Sequence, residues 1–163
     1  MRCHAGDLFR FAYYLSRDRQ HAEDVVQEAL LRGWRSFDRL LDEGAVKAWL
    51  FSIVRNEFYR SARQRTARGE ELDISALEIA DDRASIFGAG MHGLEMRNAL
   101  RALPLSYGEP LTLQVLGGFS CCEIACMLGT SEGAVMTRLT RARQALKRLI
   151  QPAAASVRRG VGA

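Results

Sequence analysis

The residues of this chain best suited to chemistry are arginines, threonines and amides set at helical spacing, a mixture that meets phosphates and base edges. One such stretch, Ser120 to Arg143, reads S-C-C-E-I-A-C-M-L-G-T-S-E-G-A-V-M-T-R-L-T-R-A-R. Its second part carries Thr137, Arg138, Thr140, Arg141 and Arg143, and no acid follows Glu132 within it. The other stretch, V-R-N-E-F-Y-R-S-A-R-Q-R from Val54, interleaves Arg55, Arg60, Arg63 and Arg65 with Asn56, Phe58 and Tyr59. Guanidinium groups neutralise phosphates, aromatic rings stack on exposed bases and an amide reads a base edge, so this mixture suits a single or melted strand. The alternative is that Phe58 belongs to a core and the arginines are merely solvated.

Other chemistries lack their signatures. No phosphate loop, H-E-x-x-H or C-x-x-C motif occurs, so the chain is not expected to be an enzyme, and no cofactor or metal is implied. Cys122 and Cys126 stand one helical turn apart beside Cys121, but no neighbouring histidine completes a ligand set. They read as small residues on a partly buried helix.

The elements that position these residues are all helical. In Ser120–Arg143, Ile124, Ala125 and Leu128 share one face, Gly129 ends that helix, and Ser131 caps a second through Val135, Leu139 and Ala142. This is a helix-turn-helix. Leu8, Phe9, Phe11, Ala12 and Leu15 predict a first helix, closed by a polar break at Arg17–Arg19. Ala22, Val25, Val26, Ala29, Leu30 and Trp34 predict the buried stripe of a second, whose outer side carries Glu23, Asp24, Gln27, Glu28 and Arg32. That side is either a solvated face or a docking surface for a basic partner. Val46, Trp49, Leu50, Ile53 and Val54 start a third helix reaching about Ala67, with Trp49, like Trp34, expected in the core. A short helix at Leu94–Leu103 stops at Pro104, and another begins near Pro110, where Ser106 and Glu109 have capping-box spacing.

The 163 residues carry a net charge of +4, unevenly distributed. Two basic stretches, around Arg55–Arg68 and Arg138–Arg159, flank an acidic one containing Glu70, Glu71, Asp73, Glu78, Asp81 and Asp82. Two contacts with a polyanion and an acidic connector between them are expected. The predicted fold is all-α: two small helical domains, 1–68 and 94–151, joined by a flexible linker over 69–93, with a disordered tail over 152–163. No apolar run is long enough to cross a membrane and no signal peptide is evident, so a cytoplasmic location without membrane insertion is expected.

H-A-E-D-V-V-Q-E-A-L-L-R-G-W (His21–Trp34), A-W-L-F-S-I-V-R-N-E-F-Y-R (Ala48–Arg60) and the Ser120–Arg143 stretch, in that order and spacing, resemble bacterial RNA polymerase sigma factors of the extracytoplasmic-function (ECF) group. The resemblance covers most of the chain from Asp7 to Ile150. A general similarity, carried by no single motif, is to members serving nickel and cobalt resistance. The resemblance implies that Asp24, Gln27 and Glu28, with Arg32 and Arg35 alongside, dock on the β′ coiled coil of core RNA polymerase. Asn56 would line a pocket for a base flipped from the minus-ten element, with Tyr59, Arg60 and Arg63 tracking the strand. Ala134, Met136, Thr137, Arg138, Thr140 and Arg141 would read the minus-thirty-five element in the major groove. It also implies an anti-sigma factor, commonly membrane-anchored, that holds the protein inactive.

The sequence departs from the family in places. Met136 stands where Lys or Arg is frequent and Thr140 where an aromatic residue or histidine is frequent, so Met136 offers a thymine methyl only apolar contact. Ser106–Pro110 replaces an arginine-bearing stretch. Family members carry a further helix before the position of Asp7, so the first domain is expected to be smaller than usual or to lack a piece. The competing function is a stand-alone helix-turn-helix regulator whose N-terminal helices dimerise or sense a ligand. The acidic helix and the basic-aromatic helix of that half favour the sigma reading.

Overall fold

The computed structural model describes residues 4–37, 43–69 and 91–159. Its elements in order are α1 (Ala5–Ser16), α2 (Arg19–Ser36), a 3-10 turn (Glu43–Ala45), α3 (Val46–Ala67), α4 (Met91–Ala102), α5 (Leu105–Thr112) running into a π-turn (Leu113–Gly117), α6 (Cys121–Leu128) and α7 (Glu132–Arg159). The fold is all-α, and no strand occurs among the described residues. Of the expected linker, residues 70–90 lie outside the described residues, and its last three are already part of α4.

Caps set the boundaries. Arg17 takes a left-handed φ of 55°, and its N–H donates to the Tyr13 carbonyl at 2.8 Å, closing α1. Extended Asp18 then accepts the His21 N–H at 3.0 Å and opens α2, a cap that contributes about 1 kcal/mol. At about 100° per residue, Ala22, Val25, Val26, Ala29 and Gly33 form one stripe, and all five are buried. The stripe ends on Gly33, which lies against Leu50 and Trp49 of α3. Trp34, a step further round, is 75% exposed rather than in the core. Trp49 does pack against the core.

The second half starts differently from its sequence pattern. Pro104 stops α4 and occupies the N-cap position of α5, so the helix begins at Leu105 and Pro110 lies inside it. Ser106 and Glu109 are therefore both helical and form no capping box; Glu109 turns to α3 instead. Pro110 has no N–H for the Ser106 carbonyl, and three residues later the helix widens into the π-turn. The helix-turn-helix follows as expected. Ser120 and Glu123 make a reciprocal capping box on α6, Gly129 closes it at φ 62°, and Ser131 accepts the Ala134 N–H at 3.2 Å. Beyond Gln151, where the disordered tail was expected to begin, α7 runs on to Arg159; Ala153, Ala154 and Ala155, strong helix formers, follow the proline there.

The two helical units share one apolar core. Leu8, Phe11, Leu50, Phe51 and Val54 from the first meet Leu111, Leu113, Phe119, Ile124, Val135 and Leu139 from the second. Phe51 is the joint, tilted against Phe11 at 5.3 Å and edge-on to Phe119 at 5.2 Å between ring centres. No described helix is long and apolar enough to cross a membrane.

Candidate functional site

Three surfaces emerge from this frame. On α2, Asp24, Gln27 and Arg35 are exposed, while Glu28 and Arg32 are half-buried. Arg32 is held by two carboxylates, Glu28 at 3.1 Å and Glu57 of α3 at 2.8 Å. Glu57 is 4% exposed and also takes the Arg60 guanidinium at 2.7 Å. A buried carboxylate is tolerated only when paired, and this one has two arginines that remain partly solvated. It ties the outer face of α2 to the outer face of α3.

The outer face of α3 forms an open groove of 650 Å³ lined by Arg55, Asn56, Tyr59, Arg60, Arg63 and Gln64. Asn56 and Arg63 are exposed, and Tyr59 lies half-buried with the Arg55 guanidinium 4.8 Å above its ring. Two of these residues are bound by Glu109 from α5. Its Oε1 accepts the Arg55 Nε–H at 2.8 Å and its Oε2 accepts the Tyr59 hydroxyl at 3.2 Å. Burial pushes the Tyr59 hydroxyl up to about 12, the Glu109 carboxylate adds to the shift, and Arg55 opposes it. Phe58 packs against the core and against His21 at 5.8 Å between ring centres, so it is not part of the groove.

Behind the groove His21 is fixed as the neutral ring. Arg65, which only donates, reaches Nδ1 at 3.2 Å, leaving Nε2–H to donate to Ser61 Oγ at 2.8 Å, and the Ser61 hydroxyl donates in turn to the Phe58 carbonyl at 2.8 Å. Burial first and Arg65 second hold the His21 pKa below its usual value, against Asp18 and Asp24.

The third surface is α7. Val135, Leu139 and Ala142 are buried, which turns Met136, Thr137, Thr140 and Arg141 outward, with Ala134 and Arg138 at the margin. Thr137 and Thr140 donate to the carbonyls four residues back, Gly133 and Met136, each at 2.9 Å. Arg143 is held by Gln114 at 2.6 Å, away from the outward row. Among the described residues, no cluster of three histidines, cysteines or carboxylates could hold a metal.

Comparison with known proteins gives the frame a family. The description Sigma-70 region 2 matches residues 1–68, and Sigma-70, region 4 matches residues 93–146. ECF RNA polymerase sigma factor EcfG of Rhodopseudomonas palustris is 34% identical over 143 residues, spanning 88% of this chain and 78% of that one. ECF RNA polymerase sigma factor SigL of Mycobacterium tuberculosis is 34% identical over 152 residues, spanning 91% and 85%. This chain belongs to the ECF RNA polymerase sigma factors. Sigma factors initiate transcription and are not enzymes. The fold is similar to that of RpoE of Bartonella quintana in complex with the anti-sigma factor NepR, at TM-score 0.74, 31% identity and coverage of 90% and 92%. It is also similar to CnrH in complex with the cytosolic domain of CnrY, at TM-score 0.63, covering 93% and 84%; at 24% identity that likeness shows the fold alone.

In this sigma factor, the residues expected to act together fall on common faces: five on α2, four on α3 and six on α7. Sequence reasoning missed two things. Leu31 and Trp34, 52% and 75% exposed, extend the α2 face beside Gln27, at the i, i+4, i+7 spacing that also reads as a core stripe. Glu109 reaches Arg55 and Tyr59 of the groove through tertiary contact, and no local pattern reveals that. The cysteines, expected on a partly buried helix, are more open: Cys122 and Cys126 are exposed and Cys121 is half-buried, all as free thiols.

Proposed function

We propose that this sigma factor binds core RNA polymerase through Asp24, Gln27, Glu28, Arg32 and Arg35 of α2, on the polymerase β′ coiled coil, and directs it to promoters. Asn56 takes an unpaired base of the minus-ten element, with Tyr59, Arg60 and Arg63 along the strand. Ala134, Met136, Thr137, Arg138, Thr140 and Arg141 of α7 face the minus-thirty-five duplex. Residues 1–68 form the polymerase and minus-ten unit, 94–151 the minus-thirty-five unit, and 69–93 the connector. The observation that most supports this reading is the pairing within one helical unit of an acid- and amide-rich face on α2 with a cationic, aromatic groove on α3. A stand-alone regulator needs no such second surface. Because RpoE is found in complex with the anti-sigma factor NepR, a membrane-anchored anti-sigma factor that holds this protein inactive in the cytoplasm is part of the proposal.

Run-off transcription with core polymerase, with and without the protein, tests it. Initiation only in its presence is expected. Initiation that is unchanged by omitting it would overturn the sigma assignment for this chain.

A further inference from the structure

Two side chains that line the groove on α3 already hold an anion, and that anion belongs to the chain itself. Glu109 is 5% exposed and comes from the other helical unit, yet its carboxylate meets two groove residues that can bind a phosphate oxygen. Arg55 supplies a charged N–H, Tyr59 a hydroxyl, and the guanidinium plane lies over the phenol ring, which fixes both donors. We propose that Arg55 and Tyr59 form a phosphate subsite for single-stranded DNA, and that Glu109 occupies it as an internal competitor while the two helical units are docked. This rests on the reading of the α3 groove as a strand-binding surface.

Several contacts hold the competitor in place. Arg17 donates to the Arg101 carbonyl at 2.6 Å, Arg101 donates to the Tyr13 hydroxyl at 3.3 Å, and Phe119 meets Phe51 edge-on. The closest approach is at Gly108, the residue before Glu109. A Cβ there would fall 1.6 Å from the Tyr14 hydroxyl oxygen and 2.8 Å from the ring carbon bearing it. Tyr14 is 6% exposed, so its ring has little room to yield. Only a residue without a side chain lets α5 lie this close to α1. A strand entering the groove must displace Glu109, so the apparent affinity of the free protein is lowered by the fraction of molecules in which the subsite is open.

Gly108→Ala is the decisive variant, because alanine favours the α5 helix itself while blocking its approach to Tyr14. Glu109→Gln removes the competing charge with almost no change of shape. The probe is a fluorescently labelled, short single-stranded oligodeoxynucleotide of mixed sequence, titrated by anisotropy with the full-length protein. Both variants, checked for native helicity by circular dichroism, are expected to bind about tenfold more tightly than the parent if roughly one molecule in ten is open at rest. Gly108→Ala should also show a larger radius of gyration by small-angle X-ray scattering. Adding Arg55→Ala to either variant should remove the gain. Parental affinity in both well-folded variants would overturn the competition, and a gain that survives Arg55→Ala would overturn the subsite. Failure of the underlying groove reading looks different: the parent, the variants and Arg55→Ala would all bind the oligonucleotide equally and support the same run-off transcription.

Discussion

Tyr14 carries a cost that its surroundings leave uncompensated. Its hydroxyl is buried without a hydrogen bond of good geometry, and burial pushes its pKa up to about 12, a shift that Arg17 and the Thr112 side chain only partly oppose. An unsatisfied buried hydroxyl costs about 1–3 kcal/mol. Tyr14→Phe is therefore expected to raise the melting temperature by a few degrees, read by circular dichroism; a lower value would mean that the hydroxyl has a partner in solution. His21 gives the complementary case. Its folded pKa lies below its unfolded one, so the unfolded chain takes up the proton first on acidification. The contribution of the neutral ring is fully present above the unfolded value of 6.5 and is lost as pH falls below it. Thermal stability should drop as pH falls below 6.5, and His21→Gln should flatten that part of the profile. Neither behaviour was legible in the sequence, because Arg65 and Ser61 reach His21 from α3, some forty positions away.

At the scale of elements, the helix-turn-helix was the most legible part because its signals are local. Ser120, Gly129 and Ser131 act on neighbours within four residues, and their caps form as spacing predicts for Gly129 and Ser131. Glu123 accepts from both the backbone and the hydroxyl of Ser120, which holds its carboxyl below the usual range. Ser120→Ala removes one side of that box and is expected to cost about 1 kcal/mol, measured as a lower melting temperature with unchanged helical content. The α5 region was misread for the converse reason. Pro110 tolerates a first turn, but Pro104 and the chain direction set by α4 start the helix earlier, and Ser106 then has no free N-terminus to cap. Trp34 shows the limit of periodicity. A stripe drawn from apolar residues alone admits it, whereas the actual stripe is completed by Gly33, a residue that no hydrophobic pattern selects.

For the whole molecule, the sequence carried the all-helical class and the grouping of site residues by face, while the docking of one unit on the other depends on contacts such as Phe51–Phe119 and Arg55–Glu109. The separation of surfaces makes the proposed roles separable by experiment. Asn56→Ala should lower open-complex formation, measured by permanganate footprinting, and leave core polymerase affinity intact; equal loss of both would remove Asn56 from the groove's function. Arg138→Ala or Arg141→Ala should weaken holoenzyme binding to promoter duplex, with the Arg141 variant also showing a shallower salt dependence by about one ion. Promoter affinity unchanged in both would remove α7 from the duplex.

The exposed indole of Trp34 makes one of these steps visible without labelling. Only two tryptophans are present, Trp49 packed against the core and Trp34 in water on the α2 face. Trp34 therefore dominates the solvent-sensitive part of the intrinsic emission. If a partner covers that face, the emission shifts to the blue and iodide quenches it less, so the spectrum of the sigma factor is itself an assay for which surface has been taken.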